Sequence, residues 1–549
     1  MKRSLLLLFL FGLYSLAMGQ LPAVSRLTDW TKAGTHATLP IYSHIAFAGD
    51  PSGLSDNSPA LQAILDTITQ PAIILIGQGT FLFKTRLILK ANTVLKGLGN
   101  NKTHLLFNQD AADAPCIQVR GTEAGAFYPI TLAAAKDDTT LQVSNSHGTN
   151  FKAGDYFRLL QNNADLVNDD WAENRTGQMI RVDSVKSGKL YFSSLLRDHY
   201  PLDRQPRIRK VTMLRFSGVE CLKITRGDYT NTGNGSSNFD LRYVSDFRLS
   251  GVESNKCNYA HAEVYYSTNV TIEDNYFYDA HNFGADGRGY GVMLHYSTGE
   301  VLVQNNIFRR LRHAMILQAG ANGNVFAYNY SYEGRKEIFP GFYVVGEDMV
   351  LHGNYPYLNL FEGNYGQFAS VDASHGKNGP YNTFFRNIAS NSGFGVTGTL
   401  SPSQNFTGNH TLSGSNSFGG ADHHITDNSW QGASAFSHQS LAYAALPSFL
   451  AGYSSAPIGP AAFNTLASIP ARDRATSGNP ISRNCEVIIW DGSKWQGGFM
   501  PSVYTGNFNL VVMAGNNAVI TRNAEVKSAD IQQGATFELN PAIQFKIKQ

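Results

Sequence analysis

The sequence predicts an all-β solenoid, a parallel β-helix, and three observations carry that expectation. The first is an imperfect repeat between Val270 and Asn428 that returns to asparagine. Its units are VTIEDNYF with Asn275, VLVQNNIF with Asn306, NVFAYNYS with Asn329, LNLFEGNY with Asn364, NTFFRNIA with Asn387, FTGNHTL with Asn409 and ITDNSW with Asn428. The second is the spacing. The steps between these asparagines are 31, 23, 35, 23, 22 and 19, so the basic coil is 22 or 23 residues long. A recurring period of that size marks a stacked-repeat fold. The third is the local pattern: the flanking runs are short, apolar and β-branched or aromatic, punctuated by Gly and Asn, which favours strand over helix. In such a stack each coil touches only its neighbours. The repeated asparagine should line one turn of every coil, tolerating left-handed backbone and hydrogen-bonding its own copies.

Composition agrees with this reading. At 549 residues the chain exceeds one ordinary core. It carries 52 Gly and only 16% charged residues, which suits turn-rich β structure. The net charge of +2 makes no electrostatic case for nucleic acid or an anionic membrane. Residues 1–19 read as a secretion signal: Lys2 and Arg3, an apolar run from Leu5 to Leu16, and the small-residue site Ala17-Met18-Gly19. No Cys follows it, which argues against a lipid anchor there. No other run is apolar long enough to span a membrane. The mature chain is therefore expected to be soluble and secreted, whether periplasmic, extracellular or held at the cell surface. Cys116, Cys221, Cys257 and Cys485 are scattered without metal-knuckle spacing, and isolated buried thiols are expected ahead of disulfides.

From Asp50 the chain opens with Asn57-Ser58-Pro59, a helix start with a capping side chain and Pro in the first turn. Leu61, Ile64, Leu65 and Ile68 form that helix's buried stripe, and the helix should cap the open end of the solenoid. Short strands follow at 72–76, 80–83, 86–89, 93–97 and 104–107. The run DNSPALQAIL…IILIGQGTFLF…RLILKANTVLKGLGNNKTHLLF resembles the opening of the pectate lyase-like right-handed parallel β-helix superfamily. That superfamily includes pectate lyases, rhamnogalacturonases, alginate lyases, epimerases and phage tailspikes. The resemblance covers about residues 45 to 430 and implies right-handed coiling. It leaves the reaction open, because one fold hosts many chemistries.

The expected organisation is therefore a cap with the first coils at 45–125, an interruption at 126–215, the main coils at 216–430, a linker or strap at 431–485 and a C-terminal β-module at 486–549. The interruption contains TTLQVS, GDYFRLLQ, GQMIRVDSV and GKLYFSSLLRDHY, which alternate like antiparallel strands, with Trp171 in the longest loop. Residues 431–483 are rich in Ala, Ser and Pro. The run IIWDGSKWQGGFMPS resembles small C-terminal β-modules of secreted proteins from Bacteroidetes-type bacteria, which implies a carbohydrate-binding or cell-surface appendage.

The repeat also lets positions be compared. Twelve residues before Asn306, Asn329, Asn364 and Asn387 stand Leu294, Leu317, His352 and His375; eleven before stand His295, Gln318, Gly353 and Gly376. On this count His352 and His375 are equivalent, one coil and about 4.8 Å apart. They form either an internal polar ladder or a pair at the lip of a strand facing substrate. The two long steps place extra residues just after Asn275 and Asn329, so both loops should leave at one corner and wall a groove. The first loop carries His281, Asp286 and Arg288; the second carries Glu333, Arg335, Lys336 and Glu337. Solvated charged loops are the plainer alternative. Residues 346–387 add Glu347, Asp348, Tyr355, Tyr357, Asp372 and Lys377, and Arg309, Arg310, Arg312 and His313 stand just before. Aromatics beside carboxylates and cations suit a polysaccharide groove, and Asp286, Arg288, His295, His313, Gln318, Glu347, Tyr355 and Tyr357 are the substrate-binding candidates.

Two mechanisms stay open. A lyase acting on a uronic acid needs a base for the proton α to the carboxylate and a cation or donor for the enolate-like intermediate; His352, His375, Lys377 and Arg312 are of the right type. A hydrolase needs two carboxylates flanking the glycosidic bond, with Asp348, Asp372, Glu347 and Asp286 as candidates. The reading favours the lyase. A glycan-binding or adhesin-like surface protein is the non-catalytic alternative. The Asn-Thr-Asp, Asp-Asp and Gly-His-Gly signatures of the polygalacturonase branch are absent, Leu351-His352-Gly353 being a partial echo, and so is the Trp-Ile-Asp-His run of calcium pectate lyases. Calcium (Ca2+) at carboxylates such as Asp372 stays open as a cofactor, although no ordered calcium-loop spacing is present, and no metal ligand is assigned.

Overall fold

A computed structural model describes residues 21–229, 236–284, 287–426, 428, 440–453, 468–481, 485, 487–490, 495–496, 509–512, 516–520, 524–526, 528–539 and 544–547. The expected signal segment, 1–19, and Asp286 lie outside the described residues. The chain folds as a right-handed parallel β-helix. Its most regular face is a 12-stranded sheet in which every pairing is parallel. That sheet runs from Ser43–Phe47 through Val270–Glu273, Leu302–Gln304, Val325–Ala327, Leu360–Glu362 and Thr383–Phe385 to His424–Thr426. A typical coil adds two further strands: after Leu302–Gln304 come Ile307–Arg309 and His313–Leu317.

The asparagines stack at the corner between the first and second strands of each coil. Asn306 Oδ1 accepts the backbone N–H and side-chain N–H of Asn275 at 3.0 Å each. Asn329 does the same for Asn306 at 2.9 and 3.0 Å, and the chain of bonds continues through Asn364, Asn387, Asn409 and Asn428. Each side chain is thereby both donor and acceptor inside the coil stack, which is what buried amides require. The left-handed residue is not the asparagine but the one before it: Asp274, Asn305, Tyr328, Gly363, Arg386 and Gly408 all have φ between 53° and 67°. The amide ladder holds that turn closed from the adjacent position. A second ladder, unread in the sequence, joins Asn324, Asn359, Asn382 and Gln404 at another corner. Inside the coils, Phe326, Phe361, Phe384 and Phe406 stack with ring centroids 4.9–5.3 Å apart.

The helix Ser58–Thr67 buries Leu61 and Leu65 against the core, with Ile64 and Ile68 half-buried beside them. Its cap differs from expectation. The Asn57 side chain makes no bond to the helix and instead binds the backbone of Asp50 and Ser55, while Asp56 Oδ1 accepts the N–H of Ser58 at 2.9 Å. The expected capping geometry fails because Asn57 is in use closing the preceding turn.

Between the strands Ile117–Arg120 and Leu214–Glu220 lie two small antiparallel sheets. One contains Tyr156–Leu160, Gly177–Arg181 and Arg207–Thr212; the other contains Thr140–Gln142, Ser184–Lys186 and Lys189–Tyr191. They enclose their own core of Leu141, Phe157, Leu159, Ile180, Leu190 and Ile208. A buried ion pair fixes them to the solenoid, Arg197 Nη2 to Glu300 Oε1 at 2.5 Å.

The terminal segments run along the outside. Arg26 binds Asn405 Oδ1, Trp30 binds the Leu358 carbonyl, Gly34 binds the Glu300 carbonyl and Tyr42 binds the Phe216 carbonyl, so residues 21–42 descend the stack before the first strand. Residues 440–453 and 468–481 pack Ala442, Leu450, Ile469 and Ala471 against Val325, Leu360 and Phe385, and Glu362 accepts the N–H groups of Leu441 and Ala442. The described C-terminal strands pair mainly in parallel at intervals of about one short coil: Asn509–Val512 with Ser528–Ile531, Asn517–Ile520 with Thr536–Leu539, and Ala524–Val526 with Phe545–Ile547. They sit on the first coils through Val511 against Leu75 and Leu98, and through His44 Nδ1 to Asp530 Oδ2 at 2.7 Å. Cys221 and Cys485 form a disulfide, which corrects the expectation of four isolated thiols; Cys116 and Cys257 are free and buried. The two bonded residues are 264 apart in sequence, so only the fold brings them together. No helix among the described residues is long and apolar enough to cross a membrane.

Candidate functional site

A cleft of about 480 Å3 opens on the outer face of a second parallel sheet, the one that contains Tyr290–His295, His313–Leu317, Glu347–Leu351 and Tyr365–Val371. Its floor follows from strand register. The pairs Tyr265↔His295, Leu294↔Leu317, Leu317↔Leu351 and Leu351↔Val371 carry the ladder one residue further, to Gln318, His352 and Asp372. The backbone bonds Gln318 N–H to Leu294, His352 N–H to Leu317 and Asp372 N–H to Leu351 confirm that register. One file of the floor is therefore Tyr265, His295, Gln318, His352 and Asp372, all just at or past the ends of their strands.

This corrects the sequence count. His352 stands beside Asp372, not in the same file as His375. The count assumed turns of equal length, but the turn after Asp372 is longer, and His375 sits in it. The two rings still meet edge to face, 4.9 Å between centroids.

Four imidazoles at the cleft each have a carboxylate. His352 Nδ1 lies 2.7 Å from Asp372 Oδ2, His375 Nδ1 2.9 Å from Asp169 Oδ2, His295 Nε2 3.1 Å from Glu263 Oε1, and His313 Nδ1 3.4 Å from Glu347 Oε2. Burial pushes the Asp372 carboxyl up, but the bond and charge of His352, with the N–H and O–H of Ser374, outweigh it and hold the group below the ordinary carboxylate range. Asp169 behaves alike: burial raises it, and Asn354, His375 and Asn168 together pull it down. His313 is fully enclosed beneath the cleft, and burial first, then the charges of His352 and Arg312, drive it well below an ordinary histidine. With Nδ1 of His352 and of His375 facing carboxylates, Nε2 is the nitrogen each ring keeps for chemistry.

Arg312 lines the same cleft and is only 6% exposed. Its Nε and Nη1 are buried without a hydrogen-bond partner, and its guanidinium lies 5.8 Å from the centroid of Tyr290. The walls are aromatic. Tyr259, Tyr290 and Tyr296 rise from the solenoid, and Trp171 reaches over from the inserted sheets, edge to face with Tyr296 and His375 at 6.0 and 5.9 Å.

The remaining predicted residues fall as follows. Gln318 lines the cleft and binds the His352 carbonyl at 3.1 Å. Glu347 is half-buried, between His313 and Lys336. Arg288 is buried next to Gly287 at the rim. Asp348 is outside the cleft: its carboxylate accepts Ser331 Oγ at 2.5 Å and the N–H groups of Gln367 and Phe368, and burial pushes it up to about 6. Tyr355 and Tyr357 are also outside it, in the joint with the inserted sheets, where Tyr357 donates to the Gly177 carbonyl at 3.3 Å. Lys377 does not line the cleft; its charge acts on Asp165. The two loops expected to share a corner do touch. The second is a hairpin, Arg335–Phe339 with Phe342–Val345, and Glu337 N–H binds the Phe283 carbonyl at 2.9 Å. Sequence reasoning missed Asp169, Glu263, Tyr259, Tyr290 and Tyr296. A signal existed only for Trp171, by its loop. Among the described residues no three His, Cys, Asp or Glu side chains gather as a metal site.

A family model described as rhamnogalacturonase A/epimerase, pectate lyase-like, matches residues 46–145. Among solved structures the chain is similar to the tailspike protein gp49 from Pseudomonas phage LKA1, with 14% identity, 92% of this chain and 78% of that chain covered, and a TM-score of 0.52. It also aligns with the Pseudomonas phage phi297 tailspike gp61 at 11% identity, 70% and 76% coverage and a TM-score of 0.39. A Yersinia enterocolitica Family 28 exopolygalacturonase aligns at 12% identity, 70% and 78% coverage and a TM-score of 0.31. No curated protein matches the sequence.

Proposed function

We propose that this right-handed parallel β-helix, whose residues 46–145 match a pectate lyase-like family model, is a polysaccharide lyase that cleaves a uronic-acid-containing glycan by β-elimination. The observation that carries this reading is Arg312. A mostly buried guanidinium in the wall of a cleft, with Nε and Nη1 left without a protein partner, favours an anion beside it, and a uronate carboxylate is such an anion. The same contact stabilises the enolate-like charge that develops when the α proton leaves. His352 Nε2 is the base, with Asp372 holding Nδ1 and sharing the positive charge that results. Trp171, 40% exposed at the rim, gives a flat apolar face for a sugar ring.

The hydrolase reading has less support. It needs one carboxylic acid kept protonated near neutral pH. Asp372 and Asp169 are held below the ordinary range, and Asp348, which is raised, faces away from the cleft. The Cys221–Cys485 disulfide fits an oxidising compartment, hence secretion.

The test is to follow unsaturated-uronate absorbance and reducing ends together on acidic and neutral polysaccharides. Both rising on an acidic glycan supports the lyase. Reducing ends without absorbance sinks it in favour of a hydrolase, and silence on every glycan favours a binding protein.

A further inference from the structure

We propose that the inserted antiparallel sheets supply a working part of the cleft, with Asp169 as the positioning residue that orients His375 to protonate the departing sugar oxygen. The role given to His375 rests on the elimination reading above; the positioning of its ring does not. Asp169 and His375 are 206 residues apart, yet Oδ2 of one meets Nδ1 of the other at 2.9 Å.

The loop around Asp169 is tied from both sides. Asn163 accepts the N–H of Asn174 at 2.8 Å and donates to Thr176 Oγ1 at 2.9 Å, closing the loop on itself. From the solenoid, Asn354 Oδ1 accepts the N–H of Asn168 and of Asp169 at 2.8 and 3.3 Å, and its Nδ2 donates to Asp169 Oδ2 at 2.8 Å. Gly376, next to His375, has φ +78°, and a Cβ there would stand 2.5 Å from the Cβ of Asn168, so this approach requires glycine. A mere docking joint is already made elsewhere, by Arg197 with Glu300 and by Tyr357 with Gly177, and needs no imidazole at the cleft. His375 instead keeps 38% of its side chain exposed there, with Nδ1 spoken for.

The step balances as follows. His352 Nε2 takes the α proton, the C–H electrons form the carbon–carbon double bond, and the bond from carbon to the glycosidic oxygen breaks with its pair on that oxygen. The oxygen then takes the Nε2 proton of His375, which enters as imidazolium with Asp169 as counter-ion and leaves neutral. Solvent resets both rings. A loop fixed to the solenoid gives this donor its orientation before substrate arrives.

The test uses the full mature chain with 15N-labelled histidine. In the wild type, neutral His375 should carry its proton on Nδ1; in Asp169→Ala it should move to Nε2, as read from the ring nitrogen shifts. On a glycan the wild type cleaves, Asp169→Ala should lower kcat by about 10–100-fold, as for lost partners of ligand histidines, with KM changed less than about threefold. Asn354→Ala, which removes the side chain that holds Asp169 but keeps the backbone N–H bond to the His375 carbonyl, should give a smaller loss of the same kind, and Tm reports whether either variant still folds. Unchanged nitrogen shifts in Asp169→Ala overturn the positioning, whether or not a substrate is known. A moved proton with unchanged kcat overturns the catalytic half. A wild type silent on every glycan sinks the lyase reading alone, and the nitrogen shifts still decide the positioning.

Discussion

Two corners of the same coils use buried polar side chains in opposite ways. At the asparagine corner every ladder amide between Asn306 and Asn409 gives and receives hydrogen bonds within the stack. At the cleft corner Arg312 has two buried nitrogens, Nε and Nη1, and His313 a buried Nε2, without a hydrogen-bond partner. The first corner contributes stability and has nothing left for a ligand. The second leaves bonding capacity unmet in the protein alone, at a cost in stability, and that unmet capacity is what a ligand can use. Substitutions at the two corners should therefore separate stability from activity.

The largest effect is expected at His352. His352→Ala removes the proposed base and should lower turnover by about 10^3-fold, within the range for a positioned general base, while Tm stays close to wild type. An equal fall in both sinks the contrast. Asn329→Ala should do the reverse. It removes the acceptor for two N–H groups of Asn306 and the donor to Val303 and Asn364, leaving buried groups unpaired. A loss of about 3 kcal/mol in denaturant unfolding is expected, with turnover intact well below the melting temperature.

Arg312→Met sharpens the contrast further. Turnover on an acidic glycan should fall by about 10^2-fold, as when one transition-state donor is lost. Stability should hold or rise, because an unpaired buried cation is replaced by an apolar chain of similar length. A drop in Tm with activity kept would mean that Arg312 is structural after all.

The same contrast explains what was legible in the sequence. The asparagine ladder is local and periodic, so Asn275 to Asn428 announced themselves by spacing, and the coils followed. The second ladder, Asn324, Asn359, Asn382 and Gln404, stands five residues before the first in each coil, at the head of the same apolar strands, and escaped because its last member is not asparagine. The cleft was legible only where it borrowed the repeat. His295 and Gln318 fell in one file by counting; His352 and His375 were paired by a count that unequal turns had broken, although the rings do meet. Asp169 was out of reach, because its place beside His375 depends on how the inserted sheets dock, and no spacing encodes that. Asp348 and Tyr357 had the right chemistry for a site but face the protein, and residue type alone does not give direction.

Asp348 yields the smallest expected effect and tests the contrast from a third position. It is fully enclosed, yet its carboxylate takes bonds from Ser331, Gln367 and Phe368, so it resembles the asparagine corner in bonding and the cleft corner in charge. Burial wins and raises it from 3.8 to about 6. A carboxyl whose folded value is raised gives stability that is fully present below the unfolded value and is lost as pH rises through the folded one. The window is thus from pH 3.8 to about 6, where the folded state binds the proton and the unfolded state does not. Buried histidines such as His313 and His261, whose values are lowered by burial, act in the opposite direction over part of this range. The measurement must therefore be a difference. Asp348→Asn mimics the protonated acid, so its unfolding free energy relative to wild type should climb by about 1 kcal/mol per pH unit across that window and level off above it. A flat difference would mean that the three donors hold Asp348 ionised, and that this position belongs with the satisfied polar groups of the asparagine corner.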